Sequence, residues 1–306
     1  MSVHPGCAAA ALEPEGEARG PFVQEQVSGP PDRGRVRAQR ADSPAAGVLK
    51  QNGLVSRLRD FVARFAAARR VVVFTGAGVS QESGLDVFRG TDGTWSRFRL
   101  EDLATPEAFA RDPERVWAWY RERYAAMRQA SPNAAHRVIA SWQERFPSLL
   151  VVTQNVDRLH QRAGSRRVVE LHGTIWDSHC ARCGRSRPTA ELLEGVAAEE
   201  LPRPCACGGL FRPSVVWFGE ALPAAAFSEA ADETGRSDVF VVVGTSAVVW
   251  PAAGLIELAA GAGALVVEVN REPSALSDLA QVALQGPAGE ILPRLDAELA
   301  AWRSRS

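Results

Sequence analysis

The chain has 306 residues, with 35 Lys and Arg against 36 Asp and Glu, which leaves a formal net charge of -1. This balance offers no basic surplus that would indicate direct binding of nucleic acid, and no apolar run reaches the roughly 18 residues of a membrane span. The length allows one large domain with a smaller inserted domain.

The first part of the chain, residues 1–52, is rich in Pro, Gly, Ala, Arg and Glu and shows no sustained apolar period. This composition predicts a disordered tail. The tail lacks the basic-then-apolar order of a secretory signal, so we expect a cytoplasmic protein. Ordered structure is predicted from Leu54, because Leu54, Leu58 and Phe61 recur at helical spacing.

A short apolar strand, Val71–Phe74, runs into a glycine-rich turn. Gly76 and Gly78 let the backbone turn tightly and approach a ligand, while Ser80 offers a hydroxyl. Arg89, further on, offers a full positive charge to phosphate. The pattern matches neither GxGxxG nor the P-loop, so a turn without a ligand is the alternative. The polar loop after Arg89 carries Trp95 and is expected to cover the turn.

Helices are predicted from Pro113 to about Gln129 and from Asn133 to Phe146, followed by a strand over Leu149–Thr153. Three polar side chains come directly after that strand, namely Gln154, Asn155 and Asp157. Ligands of open α/β sheets bind at the carboxyl ends of strands, so these side chains are candidates for a ligand site.

A third strand, Val168–Leu171, is predicted to end at His172. A histidine in this position can be a structural residue with satisfied hydrogen bonds, but here it shares the sheet edge with the other candidate loops. We therefore predict that His172 is a general base.

Four of the five cysteines lie within 28 residues as a CxxC pair and a CxC pair, Cys180, Cys183, Cys205 and Cys207. Two thiolate pairs at this spacing predict a structural tetrahedral zinc that holds a small domain together. The alternative is a set of free cysteines in a small loop domain. A short helix is predicted between the pairs, over Thr189–Leu201.

Further strands are predicted over Val215–Phe218, where the chain is expected to return to the main sheet, over Ser237–Val243, and over Ala264–Val269. Helices are predicted around Gly254–Ala260 and Gly289–Trp302. Strands that alternate with helices in this way indicate an α/β protein with a doubly wound parallel sheet.

Six blocks resemble, in order along the chain, the signature of the sirtuins, the NAD-dependent protein lysine deacylases: GAGVSQESGLDVFRG, TQNVDRLH, ELHGT, the two cysteine pairs, VVWFGE and GTS. The resemblance implies a catalytic domain over residues 53–302. Its Rossmann-like large domain would comprise residues 53–95, 132–176 and 214–302. The small domain would comprise a helical module, residues 96–131, and a zinc ribbon, residues 177–213.

The resemblance also implies the roles of individual residues. His172 is implied as the catalytic base. The residues expected to bind NAD, which include Trp95 of the covering loop, are Gly76, Ala77, Gly78, Ser80, Phe88, Arg89, Gln154, Asn155, Asp157, Gly244, Thr245, Ser246, Asn270 and Ala288. An acylated-lysine protein would bind as an extended peptide that pairs as a strand with Val216, Trp217, Phe218 and Gly219.

The implied reaction consumes NAD and yields nicotinamide, free lysine and O-acyl-ADP-ribose. Ala104, Tyr120 and Arg123 resemble the acyl-pocket residues of class III sirtuins, which prefer succinyl-lysine and malonyl-lysine. Tyr120 and Arg123 share a helix face, and an arginine can bind a carboxylate through paired hydrogen bonds. We therefore expect succinyl and malonyl groups to be removed in preference to acetyl.

Two departures from the family pattern are a carboxylate at Asp86, expected to weaken NAD binding modestly, and the CxC pair, which shortens one zinc knuckle. The alternatives are a general deacetylase, a mono-ADP-ribosyltransferase, a nicotinamide dehydrogenase, which should show GxGxxG, and a ligand-sensing interaction module, which needs no base at His172.

Overall fold

The computed structural model describes residues 25–26, 51–86, 103–197 and 200–305. Its strands are β1 (Glu25–Gln26), β2 (Arg70–Thr75), β3 (Ser148–Thr153), β4 (Val168–Glu170), β5 (Gly173–Cys180), β6 (Ser186–Pro188), β7 (Phe211–Val215), β8 (Val239–Val243), β9 (Val249–Trp250), β10 (Leu265–Asn270) and β11 (Val282–Gln285). Its helices are α1 (Gln51–Ala67), α2 (Pro106–Arg111), α3 (Pro113–Gln129), α4 (Ala134–Arg145), α5 (Leu159–Arg162), α6 (Thr189–Leu193), α7 (Ala224–Thr234), α8 (Gly254–Gly261) and α9 (Ala288–Arg303). Short 3-10 helices span Ala77–Ser83 and Ser277–Leu279.

Six strands form a parallel sheet in the order β11, β10, β8, β2, β3, β4. Alternate residues of β2 face opposite sides, and both sides are buried. Val71 and Val73 pack with α1, α4 and α9, whereas Val72 and Phe74 pack with α7 and α8. Apolar residues on both faces explain why the central strands are continuous apolar runs. The predicted doubly wound α/β fold is confirmed.

A second, antiparallel sheet has the order β6, β5, β7. It shares an apolar core with α2 and α3, in which Trp117 of α3 is fully buried and donates its indole N–H to the carbonyl of Phe211 at 2.8 Å. The helical segment and the cysteine-bearing segment are therefore one packed unit, although about 50 residues separate them in the chain. The domain boundaries at residues 53, 95, 132, 176 and 214 remain predictions.

The structure corrects two predicted elements. The strand predicted over Val215–Phe218 is instead Phe211–Val215, and it belongs to the small sheet rather than the main one. It ends because residues 217–220 form a tight turn, with Gly219 at φ +83° and the Glu220 amide donating to the Trp217 carbonyl at 3.0 Å. The helix predicted over Thr189–Leu201 ends at Leu193, since Gly195 adopts a left-handed conformation shortly after it.

Most of the predicted tail lies outside the described residues. The two residues of β1 pair antiparallel with β9, Glu25 opposite Trp250 and Gln26 opposite Val249. Among the helices that the structure describes, none combines the length and the apolar character needed to cross a bilayer.

Two buried histidines connect the main sheet to its helices. His160 of α5 lies 3.0 Å from the Thr75 hydroxyl at the end of β2, and its ring is 4.8 Å from that of His136. His136 also completes the capping box of α4 by accepting the Asn133 amide. Burial lowers the pKa of His136 to about 4 and the pKa of His160 well below its usual range. Both rings are therefore neutral in the folded protein at neutral pH.

We expect the free energy of unfolding to fall as the pH drops below about 6.5, because the two histidines then bind protons in the unfolded chain but stay neutral in the folded protein. For His136 alone the loss between pH 7 and pH 5 is about 2 kcal/mol. Chemical denaturation at both pH values measures it. His136→Gln keeps an acceptor for the capping box but does not titrate, so its pH dependence should be smaller, and equal slopes in the two proteins would contradict the assignment.

Candidate active site

A cavity of about 960 Å³ lies at the carboxyl ends of the parallel strands, where the small sheet and α3 meet the main sheet. Most of the predicted site residues line it: Gly76, Ala77, Gly78, Ala104, Tyr120, Arg123, Gln154, Asn155, His172, Val216, Phe218, Gly244, Thr245, Ser246, Asn270 and Ala288. A volume of this size is typical of a small-molecule site. The fold thus brings together residues that are up to 212 positions apart in the sequence.

The floor of the cavity is formed by two glycine turns that cross closely. Gly78 donates its amide to the Gly244 carbonyl at 2.8 Å, and Gly244 has φ +62°. A Cβ on Gly78 would lie 2.7 Å from the Gly244 Cα, and one on Gly244 would lie 2.3 Å from the Val79 nitrogen. The glycines are therefore required by the crossing of the two turns as well as by any ligand.

A buried polar cluster holds the first turn from below. The Ser80 hydroxyl donates to Asp157 at 2.7 Å, and the Asn155 amide donates to the Gly76 carbonyl at 3.1 Å. Asp157 is only 3% exposed, and burial raises the pKa of its carboxyl group. Asn155 reaches the cavity, whereas Ser80 and Asp157 lie behind its surface, so the structure places these two as supports of the turn.

Two amide side chains tie the ends of neighbouring strands together. Gln154 donates to the Thr245 hydroxyl at 3.0 Å, and Asn270 donates to the Thr245 carbonyl at 2.8 Å. The Asn270 nitrogen also donates to Glu268 at 3.1 Å, which uses both of its hydrogens, so Asn270 can offer its oxygen to a ligand. Gln154 can offer its oxygen and its second N–H.

His172 has the geometry of a base. Its Nδ1 lies 2.9 Å from the Gln154 carbonyl, which can only accept a hydrogen bond, so Nδ1 carries the proton. Its Nε2 is buried and has no hydrogen-bond partner among the described residues. Burial lowers the pKa of His172, an effect that the bond to the Gln154 carbonyl partly offsets. A neutral ring with an unshared Nε2 lone pair can accept a proton from a ligand.

The predicted acyl-pocket residues line the same cavity as His172. The Arg123 guanidinium is half-buried and lies 5.2 Å from the centre of the Trp119 ring. Burial lowers the pKa of Arg123 to about 10, opposed by Tyr120 and by the charge of Asp86, so the guanidinium remains charged at neutral pH. Asp86 itself is exposed and also lines the cavity.

The four cysteines lie together at one end of the small sheet, with their sulfur atoms within 4.8 Å of one another. The distance between the sulfurs is 3.5 Å for Cys180 and Cys207 and 3.8 Å for Cys183 and Cys205. Tetrahedral zinc with Zn–S bonds of about 2.3 Å requires sulfurs about 3.8 Å apart. The four thiols thus fit a structural zinc, and the shortened CxC pair does not prevent closure.

Some predicted residues are placed differently or not at all. Trp217 and Gly219 do not line the cavity, and the Trp217 side chain is 1% exposed. Phe88, Arg89 and Trp95 lie outside the described residues. The sequence reasoning did not identify Trp119, Val249 or residues 271–274, which also line the cavity. The position of residues 271–274 directly after a parallel strand was the available signal for that segment.

Comparison with known proteins agrees with this arrangement. A model of the Sir2 family matches residues 76–251. The NAD-dependent protein deacylase 2 of Pyrobaculum aerophilum is 53% identical over 235 residues, which are 76% of this chain and 92% of that protein. This chain belongs to the Sir2 family.

Solved Sir2 structures share the fold along nearly their whole length. A Sir2 homologue in complex with NAD is 43% identical with a TM-score of 0.74, over 79% of this chain and 94% of the other. A Sir2 protein in complex with a p53 peptide and NAD+ is 32% identical with a TM-score of 0.71, over 80% of this chain and 99% of the other. The family resemblance read from the six sequence blocks is confirmed.

The residues of this Sir2 family protein fit NAD as a co-substrate. The cavity is lined by glycine turns that a ligand can approach closely, by the amide groups of Gln154 and Asn270, and by His172, whose Nε2 has no hydrogen-bond partner in the described part of the chain. The resemblance assigns the phosphates to the Gly76–Gly78 turn and to Gly244–Ser246, and these two segments lie in direct contact.

We expect one zinc ion per chain, and we expect Cys207→Ser to release it and to unfold the small sheet, because that sheet has little core of its own. Elemental analysis and thermal unfolding measure both effects. Ser186→Ala, in the neighbouring β6, serves as the control and should retain the metal. Freshly purified protein without zinc would contradict the assignment.

We expect His172→Ala to keep the fold and the zinc but to lower deacylation by at least about 100-fold, since general-base catalysis contributes that much. Product formation with NAD and an acylated peptide measures the loss. His179→Ala, a histidine of the small sheet that does not line the cavity, should remain active. Turnover by His172→Ala close to that of the unaltered protein would exclude His172 as the base.

Proposed function

We propose that this protein is an NAD-dependent protein-lysine deacylase that prefers succinyl-lysine and malonyl-lysine to acetyl-lysine. The observation that carries the proposal is that Arg123, a cation half-buried in the cavity wall, shares one cavity with the base His172. The Sir2 family match and the deacylase names of the relatives support the coarser part of the proposal.

When bound, NAD supplies the ADP-ribose that receives the acyl group and the nicotinamide that leaves. The chain supplies the site that positions the reactants and the proton acceptor. Nε2 of His172 would be the acceptor for a proton from a ribose hydroxyl, and the Gln154 carbonyl would stabilise the resulting imidazolium by accepting the hydrogen bond that Nδ1–H donates. Because burial lowers the pKa of His172, the ring starts the reaction neutral. The cysteine cluster does not line the cavity, so a zinc there has a structural role.

The preference for acidic acyl groups rests on three residues of the cavity wall. Arg123 can bind a terminal carboxylate through two charge-assisted hydrogen bonds, and Tyr120 can donate a third. Ala104 has a small side chain that leaves room for the longer acyl group. An acetyl group offers no carboxylate to these donors, so it cannot form these charge-assisted hydrogen bonds.

Asp86 supports a second candidate, a general deacetylase. Its carboxylate lines the cavity and its charge acts on Arg123. A carboxylate there repels an acidic acyl group and so reduces the preference. We expect the attraction of an acyl carboxylate to Arg123 to exceed its repulsion by Asp86, because Asp86 is exposed and water weakens its electrostatic field. A mono-ADP-ribosyltransferase would use the same NAD site, but it would not need the acyl pocket.

The protein substrate is proposed to bind as an extended peptide at the rim of the cavity. The resemblance assigns this role to residues 216–219, but their amides at Val216, Trp217 and Phe218 already donate within the chain. The edge of a second strand supports the proposed binding of an extended peptide. Strand β9, whose Val249 lines the cavity, pairs with the extended residues Glu25–Gln26 and therefore has the geometry to accept an added strand.

A cytoplasmic location is proposed as well. The four clustered cysteines form no disulfide with one another, which is typical of proteins in a reducing compartment.

We expect Arg123→Met to lower catalytic efficiency on succinyl-lysine and malonyl-lysine peptides by about 2–4 kcal/mol in transition-state stabilisation, because paired bonds to a charged group are lost. Activity on acetyl-lysine should change little. The measurement is kcat/KM on succinyl, malonyl and acetyl forms of one peptide. Arg128→Met, an exposed arginine of the same helix, is the matched control. A tenfold preference of the unaltered protein for acetyl-lysine would favour the general deacetylase.

A further inference from the structure

Trp217 lies between two residues of the cavity wall, Val216 and Phe218, yet its own side chain points away from the cavity and is 1% exposed. Its indole N–H donates a hydrogen bond to the hydroxyl oxygen of Tyr120 at 2.8 Å. Trp217 therefore contacts the acyl pocket through Tyr120, on the side that faces away from the cavity.

The direction of this bond determines what Tyr120 can do. An indole nitrogen is only a donor, so the Tyr120 oxygen is the acceptor and its own hydrogen must point elsewhere. Trp217 is the one hydrogen-bond partner of this hydroxyl among the described residues. Since Tyr120 also lines the cavity, an acceptor on a bound acyl group is the natural partner for its hydrogen.

Trp217 is itself held in place on several sides. Its backbone amide donates to Glu220 at 2.8 Å, and Glu220 forms a two-pronged ion pair with Arg212. The Arg212 guanidinium lies 3.2 Å from the centre of the indole ring, and the Phe109 ring lies 5.3 Å away. Arg212 is 7% exposed and Glu220 is half-buried, so water has limited access to this pair. The indole nitrogen is thus fixed relative to the helix that carries Tyr120.

We propose that Trp217 is a positioning residue for acyl selectivity, which directs the Tyr120 hydroxyl as a hydrogen-bond donor toward the carboxylate of a succinyl or malonyl group. This inference rests on the proposed preference for acidic acyl groups. Acetyl-lysine has no acceptor at that position, so Trp217 should affect the two substrate classes differently. A residue that only fills space would affect both alike.

The protonation state of Tyr120 agrees with this role. Burial raises the pKa of Tyr120 to about 12, although the Trp217 bond and the charges of Arg212 and Arg123 oppose the effect. The hydroxyl therefore keeps its hydrogen at neutral pH. A deprotonated oxygen would repel the acyl carboxylate.

The test is Trp217→Phe, which removes the indole N–H but keeps an aromatic ring against Arg212 and Phe109. We expect the ratio of kcat/KM for succinyl-lysine to kcat/KM for acetyl-lysine to fall about tenfold, the size of one hydrogen bond to a charged group. In a Tyr120→Phe background the same substitution should change the ratio less than about twofold, because the hydroxyl it positions is absent.

The outcomes separate the inference from the proposed function. If the unaltered protein shows no preference for succinyl-lysine, the proposed specificity fails and the role of Trp217 fails with it. If the unaltered protein shows the preference and Trp217→Phe keeps it, or loses both activities equally while retaining fold and zinc, only the role of Trp217 is overturned.

A second measurement applies if Trp217→Phe does not fold. A crystal structure of the unaltered protein with a succinyl-lysine peptide should place the Tyr120 hydroxyl within hydrogen-bond distance of both the indole nitrogen and the acyl carboxylate. A carboxylate bound by Arg123 alone would overturn the inference.

Discussion

The close crossing of the two glycine turns is the constraint on which the site depends. Adjacent parallel strands, β2 and β8, end side by side, so the loops that leave them must pass within backbone contact of each other. Side chains on Gly78 or Gly244 would overlap backbone atoms, and only glycine tolerates the left-handed conformation at position 244 without cost. The crossing joins the two halves of the cavity into one continuous surface.

Buried polar groups then make this surface rigid. Asp157, Asn155 and Ser80 satisfy one another and the backbone beneath the first turn. An unpaired polar group at such a depth costs about 1–3 kcal/mol, so the set is stable only when complete. The same loop supplies the Gln154 carbonyl that selects the tautomer of His172. The buried polar groups are paired and so hold the first turn in place. Burial also lowers the pKa of His172, which keeps its ring neutral.

The small unit contributes Tyr120 and Arg123, two residues of the proposed acyl pocket, to the cavity wall. Its core combines α2 and α3 with the sheet of β5, β6 and β7, and Trp117 and Trp217 bond across it to Phe211 and Tyr120. The four-cysteine cluster at one end of the sheet adds a covalent constraint to this unit when it binds metal. The position of Tyr120 and Arg123 relative to His172 consequently depends on this unit, whose core also includes Val156 and Leu159 from the segment after β3.

The sequence by itself determined the parallel sheet, the order of the loops at its edge, the cysteine set and the position of His172 at that edge. These depend on local signals: apolar runs such as Val71–Phe74, glycines after them, and thiols at fixed spacing. Only the tertiary structure decided that the strand before Trp217 belongs to the small sheet, that Ser80 and Asp157 support the turn from below, and that the Trp217 indole faces Tyr120. Antiparallel pairing and side-chain direction are set by contacts between distant segments, and a one-residue shift of register reverses which face a side chain occupies. Local sequence patterns do not encode that choice.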